Sequence, residues 1–197
     1  MRGPALERLG KSLYAAADAA TSARSPPASP SSSPNGRLPG EPEHAATWLP
    51  AEFRHHRSEL GEQIYGAPGL GLERTDIAGR REAVLRNFQF FGAPAAVVVC
   101  MSSELRGGPR GGTGDAALCV GLYLQTLLLA LAEAGVGSCV QIAPAAYPDV
   151  VREAAGIPEH LHVLCTVSVG YEDPDAKINH CRASREPVGK TTVWVDE

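Results

Sequence analysis

The chain has 197 residues, of which 44% are apolar and 20% charged. At about 150 residues per domain this is one domain with some extra chain, and the composition excludes a fully disordered protein or a disulfide mini-protein. A net charge of −4 and a pI near 5.9 argue against nucleic-acid binding through phosphates, and 6% aromatic residues are too few for base-stacking platforms.

Residues 4–22 read as a helix, because the stretch is Ala-rich and Leu6, Leu9, Leu13 and Ala17 recur at helical spacing. From residue 25 to 42 prolines alternate with serines. Such a stretch buries too little surface to offset its ordering entropy, so a flexible loop is expected. Residues 48–72 are mixed. Within them Glu52-Phe53-Arg54-His55-His56-Arg57 has the look of a metal or basic cluster. Adjacent histidines on a helix point in different directions, and no H-x-x-x-H occurs, so a solvated helical face is the reading.

A further helix is expected over 75–89, capped by Thr75 or Asp76, with Ile77, Val84, Leu85 and Phe88 as its apolar stripe. Pro94 introduces an apolar strand at 95–101, and 107–114 is a Gly-rich loop. Residues 115–134 form a long apolar helix that stops at Gly135. Its uncharged part, 116–132, is just short of the ~18–20 residues of a membrane span. It reads as the buried central helix of a layered domain, with no membrane involved. A short strand at 138–142, a helix at 148–155 between Pro148 and Gly156, a strand at 162–169 and a last strand at 191–195 complete the list. Strand and helix alternate as in a layered α/β-type arrangement.

The five cysteines are odd in number, widely spaced and without a C-x-x-C, which argues against a disulfide framework or zinc ribbon. The first four lie in apolar stretches and are expected to be buried thiols in a reducing, cytoplasmic compartment. Residues 1–10 carry Arg2, Glu7 and Arg8 and no apolar core of a secretory leader.

Candidate chemistry is sparse. Gly135-Val136-Gly137-Ser138 follows a helix and precedes a strand, the reverse of a phosphate-binding glycine loop. Ser138 lacks a G-x-S-x-G setting, and Cys139 lacks a positive neighbourhood. No catalytic side chain and no metal ligand set is assigned. If the chain is an enzyme, a bound cofactor carries the chemistry. The stretch 179–187 gathers Asn179, Arg182, Ser184 and Arg185, donors suited to a phosphate or carboxylate; the plainer reading is a solvated loop paired with Glu172, Asp173 or Asp175.

These segments also carry a resemblance. Gln125-Thr126-Leu127-Leu128-Leu129-Ala130 followed by Gly135-Val136-Gly137-Ser138-Cys139 resembles the central helix and glycine turn of the nitroreductase family. Ala146-Tyr147-Pro148-Asp149-Val150-Val151-Arg152-Glu153 with Gly156-Ile157-Pro158 is similar to that family's next helix. Val169-Gly170-Tyr171, then Asp173-Pro174-Asp175-Ala176, Asn179, Arg182, Arg185 and Pro187, is similar to its C-terminal signature. Asn87-Phe88 and Phe90-Phe91-Gly92-Ala93-Pro94 fit its long-insert members.

The resemblance implies an α+β fold with a mixed sheet flanked by helices, and an intertwined homodimer with FMN at its interface sites. It implies NADH or NADPH as hydride source and a small-molecule acceptor such as a nitro compound or quinone. Arg185 would meet the FMN phosphate, with Arg182 beside it in the same signature. Gln141, Ile142 and Ala143 would lie against the flavin ring, where a backbone donor stabilises developing charge. The expected organisation is an N-terminal helix (1–24), the Pro/Ser-rich loop (25–47) and the nitroreductase-like domain (48–197). The family's opening R-x-S-type and Pro-Ser-x-Asn-type segments have no counterpart here, so the chain is expected to start after the first FMN-binding segment. The alternative implied is a truncated or degenerate scaffold that binds flavin weakly or not at all.

Overall fold

The computed structural model describes residues 1–22, 50–105 and 113–195. The expected Pro/Ser loop and nearly all of the Gly-rich 107–114 loop lie outside them. The chain divides into two compact units. One is drawn from Met1–Ala46 and Arg81–Glu172, the other from Thr47–Arg80 and Asp173–Glu197.

In the first unit, α1 (Pro4–Ser22) has the predicted bounds, and Leu6, Leu9, Leu13 and Ala17 are the face it buries. That face packs on residues 86–92 and on α5 (Pro148–Ala155). The cluster takes in Leu85, Phe88, Phe90, Tyr147, Val151 and Val163, and Phe88 meets Tyr147 edge to face. Helix α3 (Ile77–Leu85) starts where Asp76 Oδ1 accepts the Gly79 N–H at 2.8 Å, a side-chain cap of the expected kind. Its apolar stripe is only partly buried. Leu85 is covered, and Phe88 lies beyond the helix in a 3₁₀ stretch, while Ile77 and Val84 face solvent.

The sheet has three strands in the order β1-β3-β2: β1 is Ala95–Ser102, β2 Gly137–Gln141 and β3 Leu161–Gly170. Both pairings are antiparallel, so among the described residues the sheet is antiparallel where a mixed one was expected. An irregularity between Val99 and Cys100 shifts the register, pairing Val99 with Cys165 but Cys100 with Val163. Val163 thereby joins the α1-side cluster while Cys165 and Val167 stay on the opposite face.

Helix α4 (Thr113–Glu133) lies on that opposite face. One stripe, Val120, Leu124 and Leu128, covers Val99, Cys165 and Val167. The helix is not buried on all sides, contrary to expectation, because a three-stranded sheet covers only one stripe of a helix. Leu118, Leu122, Tyr123 and Leu129 are exposed. Over Asp115–Glu133 the helix is long and apolar enough to cross a membrane by length and composition, the weak criterion that a single core helix also meets. The cysteines follow the same pattern: all five are free and Cys165 is buried, but Cys119 and Cys139 are exposed. Burial pushes the Cys165 thiol up from its ordinary value.

Helix α4 ends with the Gly135 N–H donating to Ala132 O at 3.0 Å and the Val136 N–H to Leu131 O at 2.9 Å. Gly135 has φ 69°, the left-handed closure that favours glycine. The expected strand at 191–195 is absent. Val188–Thr191 is a helical turn, α6, and Val193, Trp194 and Val195 are exposed. Their β-type side chains have no neighbouring strand edge to complete a ladder.

Leu13 is fully buried and Ile77 is 78% exposed. Leu13→Ala should cost about 2–5 kcal/mol, and Ile77→Ala at most about 0.5 kcal/mol, in chemical denaturation of the two variants beside the parent.

Candidate functional site

Each unit holds its own group of candidate residues. In the first unit Gln141 ends β2, directly opposite Thr166 of β3. Its side chain is 3% exposed. Burying a primary amide requires partners for both its ends, and it has them. Nε2 donates to Asn87 O at 2.7 Å, and Oε1 accepts a short hydrogen bond from Ser168 Oγ. The Gln141 carbonyl also accepts from Thr166 Oγ1 at 3.4 Å. Gln141 therefore fastens the end of β2 to β3 and to the 86–92 stretch. Ile142 follows with its side chain exposed, and its carbonyl accepts the Ala145 N–H at 3.0 Å, opening the short 3₁₀ turn Ala143–Ala146. Ala143 packs at the edge of the α1-side core.

The 86–92 stretch is itself unusual. Phe90 and Phe91 have φ 56° and 54°, a left-handed conformation that bulky residues avoid. Each such residue costs on the order of 1–3 kcal/mol and persists only where its surroundings over-determine it. Here Phe90 is buried beside Gly10 and Asn87 O is held by Gln141. The turn presents Phe91 to solvent. Sequence reasoning missed this conformation, since phenylalanine carries no local signal for it.

In the second unit α2 (Arg54–Tyr65) holds the segment 181–186. Gln63 Oε1 accepts the Arg182 N–H at 2.8 Å, and Ser184 Oγ donates to Glu59 Oε2 at 2.6 Å. Arg182 turns its guanidinium back on its own chain, Nη1 donating to Asn179 O at 2.6 Å and Cys181 O at 2.9 Å. Arg185 Nη1 donates to Ala183 O and Ser184 O at 3.2 and 3.1 Å. A cavity of about 400 Å³ is lined by His56, Arg57, Leu60, Ser184, Arg185 and Glu186. It places two guanidinium-bearing residues, Arg57 and Arg185, around one space. A larger cavity of about 680 Å³ lies along the other stretch of α2 and includes Arg57, Tyr65, Arg74 and Arg80; the Arg80 guanidinium sits 4.5 Å from the centre of the Tyr65 ring, a cation–π distance.

The 179–187 stretch is thus not paired with Glu172, Asp173 or Asp175 through its arginines. Its contact to that group is Asn179 Nδ2 donating to Asp173 O at 2.9 Å. Residues 52–57 form a solvated face as expected, with only His56 half-buried, but the two histidines do not diverge. His55 and His56 sit in the first turn of α2 with ring centres 3.9 Å apart, and both Nε2 atoms approach Glu186 Oε1, at 3.5 and 3.0 Å. Adjacent side chains diverge along a regular helix, but here the two rings turn toward a carboxylate supplied by a distant segment. Lys190 Nζ takes the other carboxylate oxygen, Oε2, at 3.0 Å. The Lys190 hydrogen bond is the main cause holding the Glu186 carboxyl below its ordinary value.

Comparison with known proteins gives this arrangement its class. The nitroreductase family model matches residues 41–171, and the chain belongs to the nitroreductase family. It is 33% identical over 147 residues to a 4-nitrobenzoate reductase of Nocardioides sp. (strain LMS-CY), spanning 74% of this chain and 56% of that protein. A 4-nitrobenzoate reductase of Pseudomonas putida is 29% identical over 157 residues, with 80% and 62% covered. The chain thus spans little more than half the length of these relatives. Among solved structures, the FMN-dependent nitroreductase NfnB from Mycobacterium smegmatis in complex with NADPH aligns at TM-score 0.75 and 25% identity, covering 100% of this chain and 77% of that one.

Truncating Gln141 tests its fastening role. Gln141→Ala leaves the buried Ser168 hydroxyl without its partner, which costs about 1–3 kcal/mol. Urea denaturation should show a loss in that range with an unchanged slope.

Proposed function

We propose that the protein is an FMN-dependent oxidoreductase that uses NADH or NADPH to reduce nitroaromatic compounds, with quinones and similar molecules as further acceptors. The observation that carries this reading is the alignment of the entire chain with an FMN-dependent nitroreductase solved with NADPH. The two similar 4-nitrobenzoate reductases make a nitroaromatic carboxylate the first acceptor to try.

The residues present fit a flavin phosphate in one respect that the geometry itself offers. Arg57 and Arg185 line a common cavity, and among the described residues Arg185 is held by backbone carbonyls rather than by a carboxylate. Its fork of donors suits a phosphate. Arg182 contributes differently: its guanidinium clamps the turn at 179–181 and so fixes the segment on which Arg185 stands. FMN, when bound, supplies hydride transfer between the nicotinamide and the acceptor. The part of Gln141, Ile142 and Ala143 is to offer backbone donors toward the ring. Gln141, locked to Asn87, Ser168 and Thr166, keeps that edge from moving as charge develops, which is how a preorganised donor acts without an ionisable side chain.

Arg185→Ala should weaken FMN binding roughly 10- to 150-fold, from about 1.5–3 kcal/mol for a hydrogen bond to a charged group. Arg54→Ala, at the exposed start of α2, should change it little. Fluorescence titration of FMN into parent and variants is the measurement. Equal affinities would remove Arg185 from the site, and no binding by the parent would favour the degenerate scaffold.

The same reading includes a homodimer in a cytoplasmic setting. The exposed α4 face of Leu118, Leu122, Tyr123 and Leu129 is a large apolar surface for a lone chain and suits an obligate interface. Five free thiols agree with a reducing compartment. Light scattering at micromolar concentration should give twice the chain mass, and a monomer mass would overturn this assembly.

A further inference from the structure

We propose that His55, His56 and Glu186 form a zinc site that latches the start of α2 to the segment carrying Arg185. The three ligand atoms all lie within 4.8 Å of one another. His55 Nε2 and His56 Nε2 stand 3.5 and 3.0 Å from the same oxygen, Glu186 Oε1. Zn–N and Zn–O bonds of about 2.0–2.2 Å at a tetrahedral angle put ligand atoms about 3.3–3.5 Å apart. The two separations to Glu186 Oε1 bracket that edge.

Glu186 already has Lys190 Nζ at 3.0 Å on Oε2, which leaves Oε1 to the two imidazoles. As zinc ligands the imidazoles are neutral, each placing a ring-nitrogen lone pair on the metal. Lys190 then becomes the outer partner of a ligating carboxylate, leaving Oε1 directed at the ion, as outer partners usually do.

Two histidines, one carboxylate and an open fourth position make a recognised zinc donor set. His55 is 61% exposed, and His56 and Glu186 are half-buried at 30% and 25%. The same two stretches are already joined by Glu59 with Ser184 and by Gln63 with Arg182. The metal would tighten the link between positions 130 residues apart in sequence (186 − 56), and its effect is on the ordering of the 181–186 segment. The proposal does not depend on flavin binding.

The test is isothermal titration of zinc into the full chain, stripped of metal and free of flavin, with thermal melting of every sample in chelator as the folding check. One equivalent should bind, raising the melting temperature. His55→Ala, His56→Ala and Glu186→Gln should each weaken binding at least about tenfold, the loss that removing an outer partner alone brings. Exposed Cys119 and Cys139 are the competing soft ligands, so a Cys119→Ser/Cys139→Ser double variant should bind as the parent does. X-ray absorption of the zinc-loaded parent should show nitrogen and oxygen neighbours with imidazole scattering, a readout independent of any variant. Absence of binding, affinity unchanged in all three ligand variants, loss in the cysteine variant, or sulfur neighbours would each overturn the site.

Discussion

Strand β3 is hydrogen-bonded on both edges, to β1 and to β2, and each of its faces is claimed by a different core. On one face Val163 joins the side chains of α1, α5 and the 86–92 stretch; on the other Cys165 and Val167 receive the stripe of α4. Successive side chains of a strand point to opposite faces, so β3 lends residues to both cores, and the irregularity beside Val99 and Cys100 sets where Val163 turns to the α1 side. Thr166 and Ser168 are buried as well, and these two polar groups require a partner. Gln141 supplies it, so the polar network at the end of β2 follows from how the central strand is shared.

That network explains how a unit with few acids and bases can still build a defined surface. Its buried hydroxyls and amide have hydrogen bonds in place, which makes the arrangement rigid rather than costly. The same anchoring reaches Asn87 and the left-handed Phe90–Phe91 turn, where strain is held by packing around Phe90. Chemistry in such a protein is left to a bound group, and the protein's contribution is orientation and exclusion.

The second unit works by a different logic. It has little apolar core of its own, since α2 has no buried residue. Its order comes from side-chain hydrogen bonds between α2 and 181–186, with Glu59, Gln63 and Glu186 as the fixed points. Exposed polar links of this kind are individually weak. Several acting on one short segment are what set the place of Arg185.

The sequence by itself determined the elements whose causes are local. Helix α1 has its predicted bounds because an Ala-rich, leucine-striped stretch needs no distant partner to favour helix. Helix α5 begins at Pro148 and is followed by Gly156 at φ 65°, and Gly135 closes α4, since proline and glycine act on their own backbone. The three inner strands were readable for their continuous apolar runs, and the family was readable from ordered motifs. What tertiary structure decided is what depends on residues far apart. Residues 191–195 have strand composition but no edge to pair with. Cys119 lies in an apolar run yet is exposed, because a small sheet covers one stripe of α4 and no more, and Cys139 is exposed on the edge strand β2. His55 and His56 looked divergent until Glu186 arrived from 130 positions away (186 − 56) to draw both rings together. Spacing along the chain governs direction on a single element; convergence between elements is set by packing, which no local pattern encodes.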